Sequence, residues 1–439
     1  MKKIYFCIIL IVVSLLSTST AFASPLDIPS NSSYILIDAR TGQVIKEYNS
    51  DRKLRPASTT KIMTAILALE KGNLNDAMNV SKEAVYDIGQ DGMNVGIMPG
   101  ESNLTLENLL NVMLIKSANE AANIIAENIG GSKSAFVQMM NEKAKELGAL
   151  NTNFVNPCGK DDAKEDANHL TTARDLAAIA RYAMNIPKFR EIVSKEYYKD
   201  MPVTNDHTNW GVLRTSDQLL WDSNTYPYTL DGVTHNFTVE GIKTGYTSVA
   251  GNNLVSSAVN QDGMELIAVI MHVTQQNKIF GYAKELLKYG FENYGMQKIA
   301  DADKVVKTVN ISDAKGNGSL DLVTASNLMS AMPLDKGTWN LESKENINLS
   351  VKAPVKQGDV LGYVEYSRNG ISLGKVNVIA SRNVEAIQPK VIVKKAGSLL
   401  DSALMRTIII LFITCLGFAL VSLAYRKAIK KKNRKNYRI

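Results

Sequence analysis

The spacing of apolar residues changes character several times along the chain. Between residues 54 and 194, apolar side chains recur every three or four positions, which is the period of helices that bury one face. From residue 239 to residue 273 they form short runs separated by turn residues, a pattern typical of β-strands. A helical period returns over residues 279–294. We therefore predict a helical half, a sheet and a closing helix within one α+β domain.

An N-terminal hairpin completes the predicted sheet. Residues 33–38 and 43–48 are strand-like runs on either side of a turn. The strands predicted at residues 254–259 and 264–273 are joined by Asn-Gln-Asp-Gly, a strong hairpin signal. In the helical half, the predicted helix over residues 59–71 has apolar residues on more than one face, so we expect it to lie inside the domain. Further helices are predicted over residues 105–115, 120–129 and 133–147.

The pattern changes again in the last third of the chain. Short alternating runs separated by turn residues predict a small β-sandwich-like domain over residues 299–387. The predicted strands are residues 305–311, 347–351, 360–366 and 375–380. This part carries no cluster of reactive side chains, so we expect a stalk, with a binding module as the alternative.

Both ends of the chain carry apolar segments. Residues 1–23 combine Lys2 and Lys3 with an apolar run and a small-x-small site, as in a secretory signal peptide. After a linker at residues 388–406, residues 407–425 contain no charge and span about 28 Å as a helix, enough to cross a membrane. Residues 426–439 are basic. Because positive charge stays on the cytoplasmic side, we expect a single-pass membrane protein with a cytoplasmic tail and residues 24–406 outside.

This topology accounts for the charge of the chain. Its 439 residues carry a formal net charge of +7, but the two ends hold eleven positive residues and no acid, which leaves −4 for residues 24–405. The basic balance therefore indicates a membrane flank, and we expect no nucleic-acid partner. Cys158 is the only cysteine between the two apolar ends, so an intramolecular disulfide there is excluded. The four histidines have no metal-ligand spacing, and we expect no metal and no cofactor.

The first motif with chemical meaning is Ser58-Thr-Thr-Lys61. In the predicted helix, Ser58 lies at the positive end of the helix dipole and Lys61 projects from the same face one turn later. This is the geometry of a nucleophile beside its base. Lys61 has to be neutral part of the time, and partial burial and the charge of Lys243 would both lower its pKa. The alternative is a helix N-cap followed by a surface lysine.

The second motif, Ser117-Ala118-Asn119, falls at the junction of two predicted helices, where its side chains can point into a cleft. The Ser117 hydroxyl suits a relay of the proton to the leaving amine. Asn119 suits a contact to the amide of the substrate and can also orient Lys61.

The third motif, Lys243-Thr244-Gly245, lies on a predicted strand. A cation and a hydroxyl together suit a free carboxylate on the substrate, and Gly245 lets a backbone approach closely. The N–H groups of Ser58 and Tyr246 are candidates for an oxyanion hole. The three motifs together predict cleavage beside a C-terminal carboxylate.

With their surroundings, at residues 56–61, 117–122 and 241–247, the motifs resemble those of the low-molecular-weight penicillin-binding proteins that are D-alanyl-D-alanine carboxypeptidases. The resemblance covers residues 33–294, and the β-rich part with the membrane tail is similar to the C-terminal part of that family. It implies a β-lactamase-like catalytic domain that removes the terminal D-alanine from peptidoglycan pentapeptide stems through an acyl-enzyme on Ser58. It also implies that β-lactams acylate the same serine.

The chain departs from this family at two places. The family often has Asn-Pro-His-Gly-Leu where residues 156–160 are Asn-Pro-Cys-Gly-Lys, so the role of that histidine is open here. Family members commonly lie on the membrane through an amphipathic C-terminal helix, whereas residues 407–425 are apolar all round.

Two other functions are compatible with the same motifs. A β-lactamase needs a group for rapid deacylation that the sequence does not identify, and the β-rich domain and the membrane span disfavour it. A catalytically idle wall-binding scaffold is disfavoured because the reactive residues are all present. Endopeptidase or transpeptidase action, and the preferred stem peptide, stay undecided by the sequence.

Overall fold

The computed structural model describes residues 26–89, 92–161, 164–388 and 403–435. The predicted signal peptide at residues 1–23 and most of the predicted linker at residues 388–406 lie outside this part. The described chain forms two units. The first contains the residues before 310 with residues 321–349 and 357–382, and the second contains residues 310–320, 350–356 and those from 383 onward.

A six-stranded antiparallel sheet lies in the first unit. Its strands are β1 (Ser33–Asp38), β2 (Val44–Tyr48), β5 (Thr225–Leu230), β6 (Val233–Thr247), β7 (Gly251–Asn260) and β8 (Glu265–Val273). They are ordered β2-β1-β8-β7-β6-β5, so the N-terminal hairpin pairs with the late strands as predicted. Two short strands, β3 (Tyr197–Tyr198) and β4 (Leu213–Arg214), form a separate ribbon.

The alternation of side chains buries both faces of this sheet. Ile35 and Ile267 belong to the core shared with the helical half, whereas Leu36 and Leu266 belong to a second core under the closing helix. Adjacent residues of one strand thus point to opposite cores. The sheet therefore lies in the middle of a helix-sheet-helix sandwich.

The helices follow the predicted apolar period closely. They are α1 (Lys61–Lys71), α2 (Lys82–Tyr86), α3 (Leu106–Ile115), α4 (Asn119–Gly130), α5 (Lys133–Glu146), α6 (Ala173–Met184), α7 (Pro187–Val193) and α8 (Ile279–Asn293). Every residue of α1 from Lys61 to Ala68 is buried, which confirms that this helix is internal. The Thr172 side chain accepts a hydrogen bond from the Asp175 N–H and so caps α6.

The first unit differs from the prediction in two local details. The α-helix does not begin at Thr59, because residues Ala57–Thr60 form a 3₁₀ turn and α1 starts only at Lys61. The hydroxyls of Thr59 and Thr60 donate to the carbonyls of Pro56 and Ala57, which favours the tighter turn. The apolar pattern also does not predict β5 and the first residues of β6, whose exposed polar positions hide the alternation.

The β-rich character of the last third is confirmed. Its strands are β9 (Tyr294–Ala300), β10 (Val305–Asn310), β11 (Ser319–Thr324), β12 (Leu328–Pro333), β13 (Leu341–Ile347), β14 (Val360–Arg368) and β15 (Ile371–Ala380). They form a five-stranded sheet, β10-β11-β15-β14-β13, and a β9-β12 ribbon. The strand predicted at residues 347–351 is wrong, since β13 ends at Ile347. The strand before that point is a mostly exposed edge, and its polar residues carry little apolar signal.

The second unit contains isolated bridges and the C-terminal helix. Ser312 pairs with Lys352, and Val355 pairs with Val384. Helix α9 (Ala403–Lys435) is long and apolar enough over residues 403–431 to cross a membrane. It extends into the predicted basic tail, so part of that tail is helical.

Candidate active site

Ser58 lies on the strained turn that precedes α1, which we call the 57–60 turn. Ala57 has a φ of 49°, a conformation that costs a non-glycine residue of the order of 1–3 kcal/mol. Gly159 packs directly against it, and a Cβ at Gly159 would lie 1.9 Å from the Ala57 carbonyl oxygen. Thr60 is also in contact with His169, over 2.8 Å from its hydroxyl to Nε2. Packing from outside the turn thus fixes the position of Ser58.

Lys61 makes three hydrogen bonds through Nζ. It donates to Ser58 Oγ over 2.9 Å, to Asn119 Oδ1 over 2.6 Å and to the Cys158 carbonyl over 2.6 Å. The side chain has no exposed surface, so its burial is complete and not partial as expected. Burial lowers the pKa of Lys61 to about 8, against the opposing effects of Cys158 and Glu120.

Ser117 and Lys243 form a second linked pair. Lys243 Nζ donates to Ser117 Oγ over 3.0 Å and to the Thr244 carbonyl over 2.8 Å. Ser117 has a φ of 63°, a second strained position beside the first. Burial and the charge of Lys61 together lower the pKa of Lys243 well below its usual value, and Asp217 opposes them. The effect between the two lysines thus acts on Lys243, whereas the expected effect of the Lys243 charge on Lys61 is not among the causes that lower the pKa of Lys61.

Strand β6 lies beside the 57–60 turn. Its pairing with β5 ends at Thr238, so the segment from Lys243 onward pairs with β7 on one side and faces the turn on the other. A Cβ at Gly245 would lie 3.0 Å from the Pro56 carbonyl oxygen and 3.1 Å from the Ser58 nitrogen. A side chain here would press against the turn itself, so the close approach of the turn favours glycine in addition to the expected approach of a substrate.

Two cavities meet at Ser58. The smaller, of about 80 Å³, is also lined by Asn119 and Tyr246, and the larger, of about 510 Å³, by Ser117 and Thr244. All eight residues proposed from the sequence therefore lie at one site. We call the hydrogen-bonded residues Ser58, Lys61, Ser117, Asn119 and Lys243 the Ser58 cluster.

Sequence reasoning missed several residues of this site. The hydroxyls of Ser216 and Thr244 are 2.6 Å apart, and the Cys158 carbonyl accepts from Lys61. Asp217 is buried, and burial raises its pKa to about 6. Ser216 and Asp217 carry no motif signal. Cys158 could have been found, because it stands in the segment that departs from the family pattern.

The arrangement fits acyl transfer. A half-buried hydroxyl contacts a lysine whose pKa is close to neutrality, which is the requirement for an activated serine. The hydroxyls of Ser117, Ser216 and Thr244 line the neighbouring cavity, where they can bind an anionic group, and the buried Lys243 donates to the first of them.

Comparison with known proteins gives matches over both parts of the chain. Residues 19–275 match the family model described as D-alanyl-D-alanine carboxypeptidase, and residues 294–386 match that of the penicillin-binding protein 5 C-terminal domain. The chain is 28% identical over 356 residues to the D-alanyl-D-alanine carboxypeptidase DacA of Haemophilus influenzae, covering 80% of this chain and 84% of that protein. It is 29% identical over 360 residues to DacF of Bacillus subtilis, covering 80% and 85%.

A solved structure is similar over the same length. The crystal structure of penicillin-binding protein 5 from Haemophilus influenzae superposes with a TM-score of 0.60 at 27% identity, covering 80% of this chain and 97% of that one. The similarity therefore includes the catalytic part and the β-rich part.

Proposed function

Because the chain belongs to the D-alanyl-D-alanine carboxypeptidase family, we propose that its reaction is carried out by the Ser58 cluster. The protein is a serine peptidase of the penicillin-binding class. Its substrate is a peptidoglycan stem peptide ending in D-alanyl-D-alanine, and β-lactams occupy the same site. The observation that carries the assignment of residues is the contact from Lys61 Nζ to Ser58 Oγ over 2.9 Å.

In the proposed acylation step, Ser58 Oγ attacks the carbonyl carbon of the penultimate D-alanine. Neutral Lys61 takes the hydroxyl proton as the new C–O bond forms. The N–H groups of Ser58 and Tyr246 stabilise the negative oxygen of the tetrahedral intermediate. The C–N bond then breaks, and the leaving amine receives a proton through the Ser117 hydroxyl. Free D-alanine leaves, and the stem peptide stays as an ester on Ser58.

In the proposed binding mode, the terminal carboxylate of the substrate lies beside Lys243 and Thr244. The hydroxyl of Ser216 holds that of Thr244, so the two can act as one polar surface. Asn119 contacts the peptide on the other side of the scissile bond. Water then hydrolyses the ester and returns the proton to the cluster. A β-lactam reacts in the same way, but its leaving nitrogen stays tethered to the acyl group.

The test is D-alanine release from diacetyl-L-Lys-D-Ala-D-Ala by the detergent-solubilised full chain. We expect release by the native protein and none by Ser58→Ala, which should also lose labelling by a fluorescent penicillin. Labelling of Ser58 without D-alanine release would assign a role in cross-link cleavage or transpeptidation, and persistent labelling of Ser58→Ala would reject Ser58 as the nucleophile.

We further propose that residues 24–298 and 299–387 are the catalytic and β-rich domains and that α9 anchors them outside the cytoplasmic membrane. The basic residues that follow the apolar part of α9 support this orientation. Protease added to intact protoplasts should digest the catalytic part and spare a C-terminal tag. Digestion of the tag would reverse the orientation.

A further inference from the structure

Glu120 is a buried carboxylate beside the Ser58 cluster for which neither the motifs nor the mechanism above has a role. It lies in the first turn of α4 with 1% of its surface exposed. Oε1 accepts a hydrogen bond from the Val95 N–H over 2.6 Å. Oε2 is buried and has no hydrogen-bond partner among the described residues. A half-satisfied buried carboxylate costs stability, so its presence calls for a function.

The hydrogen bond to Val95 holds a segment that lines the cavities at Ser58. The neighbouring residue, Asn119, donates its backbone N–H to the Met93 carbonyl over 2.8 Å. Two successive residues of α4 thus fix residues 93–95. Met93 lines both cavities that meet at Ser58, although half of its own surface is exposed. The start of α4 therefore fixes one wall of both cavities.

Glu120 also contributes to the charge around Lys61. The titratable groups that act on Lys61 or respond to it come from four other elements: Cys158, His169, Lys243 and Glu120. Burial lowers the pKa of His169 to about 3 and raises the pKa of the Cys158 thiol, so both are neutral near pH 7. Lys243 carries the same sign of charge as Lys61. Cys158 and Glu120 both oppose the lowering of the Lys61 pKa, and Glu120 is the carboxyl group of the two.

The surroundings of Glu120 act on its ionisation in opposite directions, and their net effect raises its pKa. Burial raises the pKa of Glu120, but the Val95 N–H and the charge of Lys61 act against that rise. The position in the first turn of α4 adds the positive end of a helix dipole.

We propose that Glu120 is a positioning residue of this enzyme, which holds the 93–95 segment at the wall of the Ser58 cavities through one carboxylate oxygen and sets the charge state of Lys61 through its negative charge. This inference rests on the proposed roles of Ser58 and Lys61. Removing the charge should favour neutral Lys61, because the acid stabilises the ammonium form. Removing the hydrogen bond should loosen one wall of the site at every pH.

Two variants separate these effects. Glu120→Gln keeps an oxygen that can accept from Val95 but removes the charge, and Glu120→Ala removes both. Glu127→Gln is the matched control, since Glu127 lies two turns further along α4, where it accepts from Ser81 Oγ and does not contact the Ser58 cluster. Glu120→Asp keeps the charge on a shorter side chain and serves as the charged counterpart should the glutamine variant fold poorly.

The measurement is the rate constant of acylation by a fluorescent penicillin from pH 5.5 to 9.5, with the full chain in detergent. In Glu120→Gln we expect the acid limb, the part of the profile in which the acylation rate constant rises with pH, to move to lower pH by about one unit. In Glu120→Ala we expect the same shift of the pH profile. The acylation rate constant should also fall about 10-fold or more at all pH values, and amide hydrogen exchange in residues 93–95 should become faster. Glu120→Asp should keep the native acid limb and lose rate. Glu127→Gln should match the native protein.

An unmoved acid limb in folded Glu120→Gln, or an equal shift in Glu127→Gln, would overturn the role of the charge. Native rates and native exchange in Glu120→Ala would overturn the role of the hydrogen bond. Ser58→Ala, run alongside, distinguishes these results from a failure of the proposed function: if it still reacts with penicillin, the assignment of the nucleophile fails instead.

Discussion

Lys243 and Ser117 are 126 residues apart in the chain, yet Lys243 Nζ donates a hydrogen bond to Ser117 Oγ over 3.0 Å. The bond joins the sheet to the helical half beside the cavity that Ser117 and Ser58 line. Because Lys243 is buried, its ammonium group is held against the hydroxyl without competition from bulk water. A lysine that can donate, next to a hydroxyl that can both donate and accept, is a short path for a proton.

Replacing Ser117 should interrupt that path. In Ser117→Ala the Lys61–Ser58 contact is kept, so the loss reflects proton delivery to the leaving amine. We expect D-alanine release to fall by about 100-fold or more, the usual range for loss of an acid-base group. The rate is measured with the diacetyl tripeptide. Ser134→Ala, a substitution on α5 outside the cluster, is the control, and an equal loss there would contradict the prediction.

Acylation should depend on pH through Lys61. Burial lowers the pKa of Lys61 to about 8, and the base has to be neutral, so the rate should rise as pH increases through about 8 and fall about tenfold per unit on the acid side. The pH profile of penicillin acylation tests this. Lys61→Arg keeps a positive charge that cannot be lost in this range and should show a low rate at every pH. A native profile that falls with rising pH would refute the assignment.

Ser216 should influence binding more than chemistry. Its hydroxyl lies 2.6 Å from that of Thr244, so Ser216→Ala frees the Thr244 hydroxyl to rotate. Loss of one such hydrogen bond is worth about 1 kcal/mol, so KM should rise about fivefold with kcat little changed. Thr244→Val removes the binding group itself and should raise KM further. If kcat falls and KM stays constant in Ser216→Ala, the carboxylate site has been placed wrongly.

Gly159 should be required for the shape of the 57–60 turn. A Cβ there would lie 1.9 Å from the Ala57 carbonyl oxygen, so Gly159→Ala has to displace the backbone that carries Ser58. We expect a loss of unfolding free energy of about 2 kcal/mol or more, together with slow acylation. Gly148→Ala is the matched control for Gly159→Ala, since Gly148 also has a positive φ but a Cβ there would meet no atom within 4 Å. Gly148→Ala should lower the free energy of unfolding by only about 1 kcal/mol and leave acylation unchanged. Thermal unfolding and penicillin labelling compare the two.

The sequence identified the three motifs, the family and most of the helices. Reactive residue types at fixed short spacing are local information, as are the apolar period of α1 and the alternation of β1 and β8. In the β-rich part the apolar pattern is weaker, and there the prediction from local spacing was less accurate. The position of the exposed edge strand β13 was predicted wrongly, because most of its residues are polar and show no apolar alternation.

Only the tertiary structure decided the electrostatics of the site. The sequence places Lys61 beside Ser58, but its complete burial comes from Asn119 and the Cys158 carbonyl, 58 and 97 residues away. Likewise, no local pattern shows that Gly159 packs on Ala57 or that Glu120 holds Val95. Short-range spacing specifies which groups react, whereas desolvation, strain and charge depend on contacts between segments that are distant in the chain.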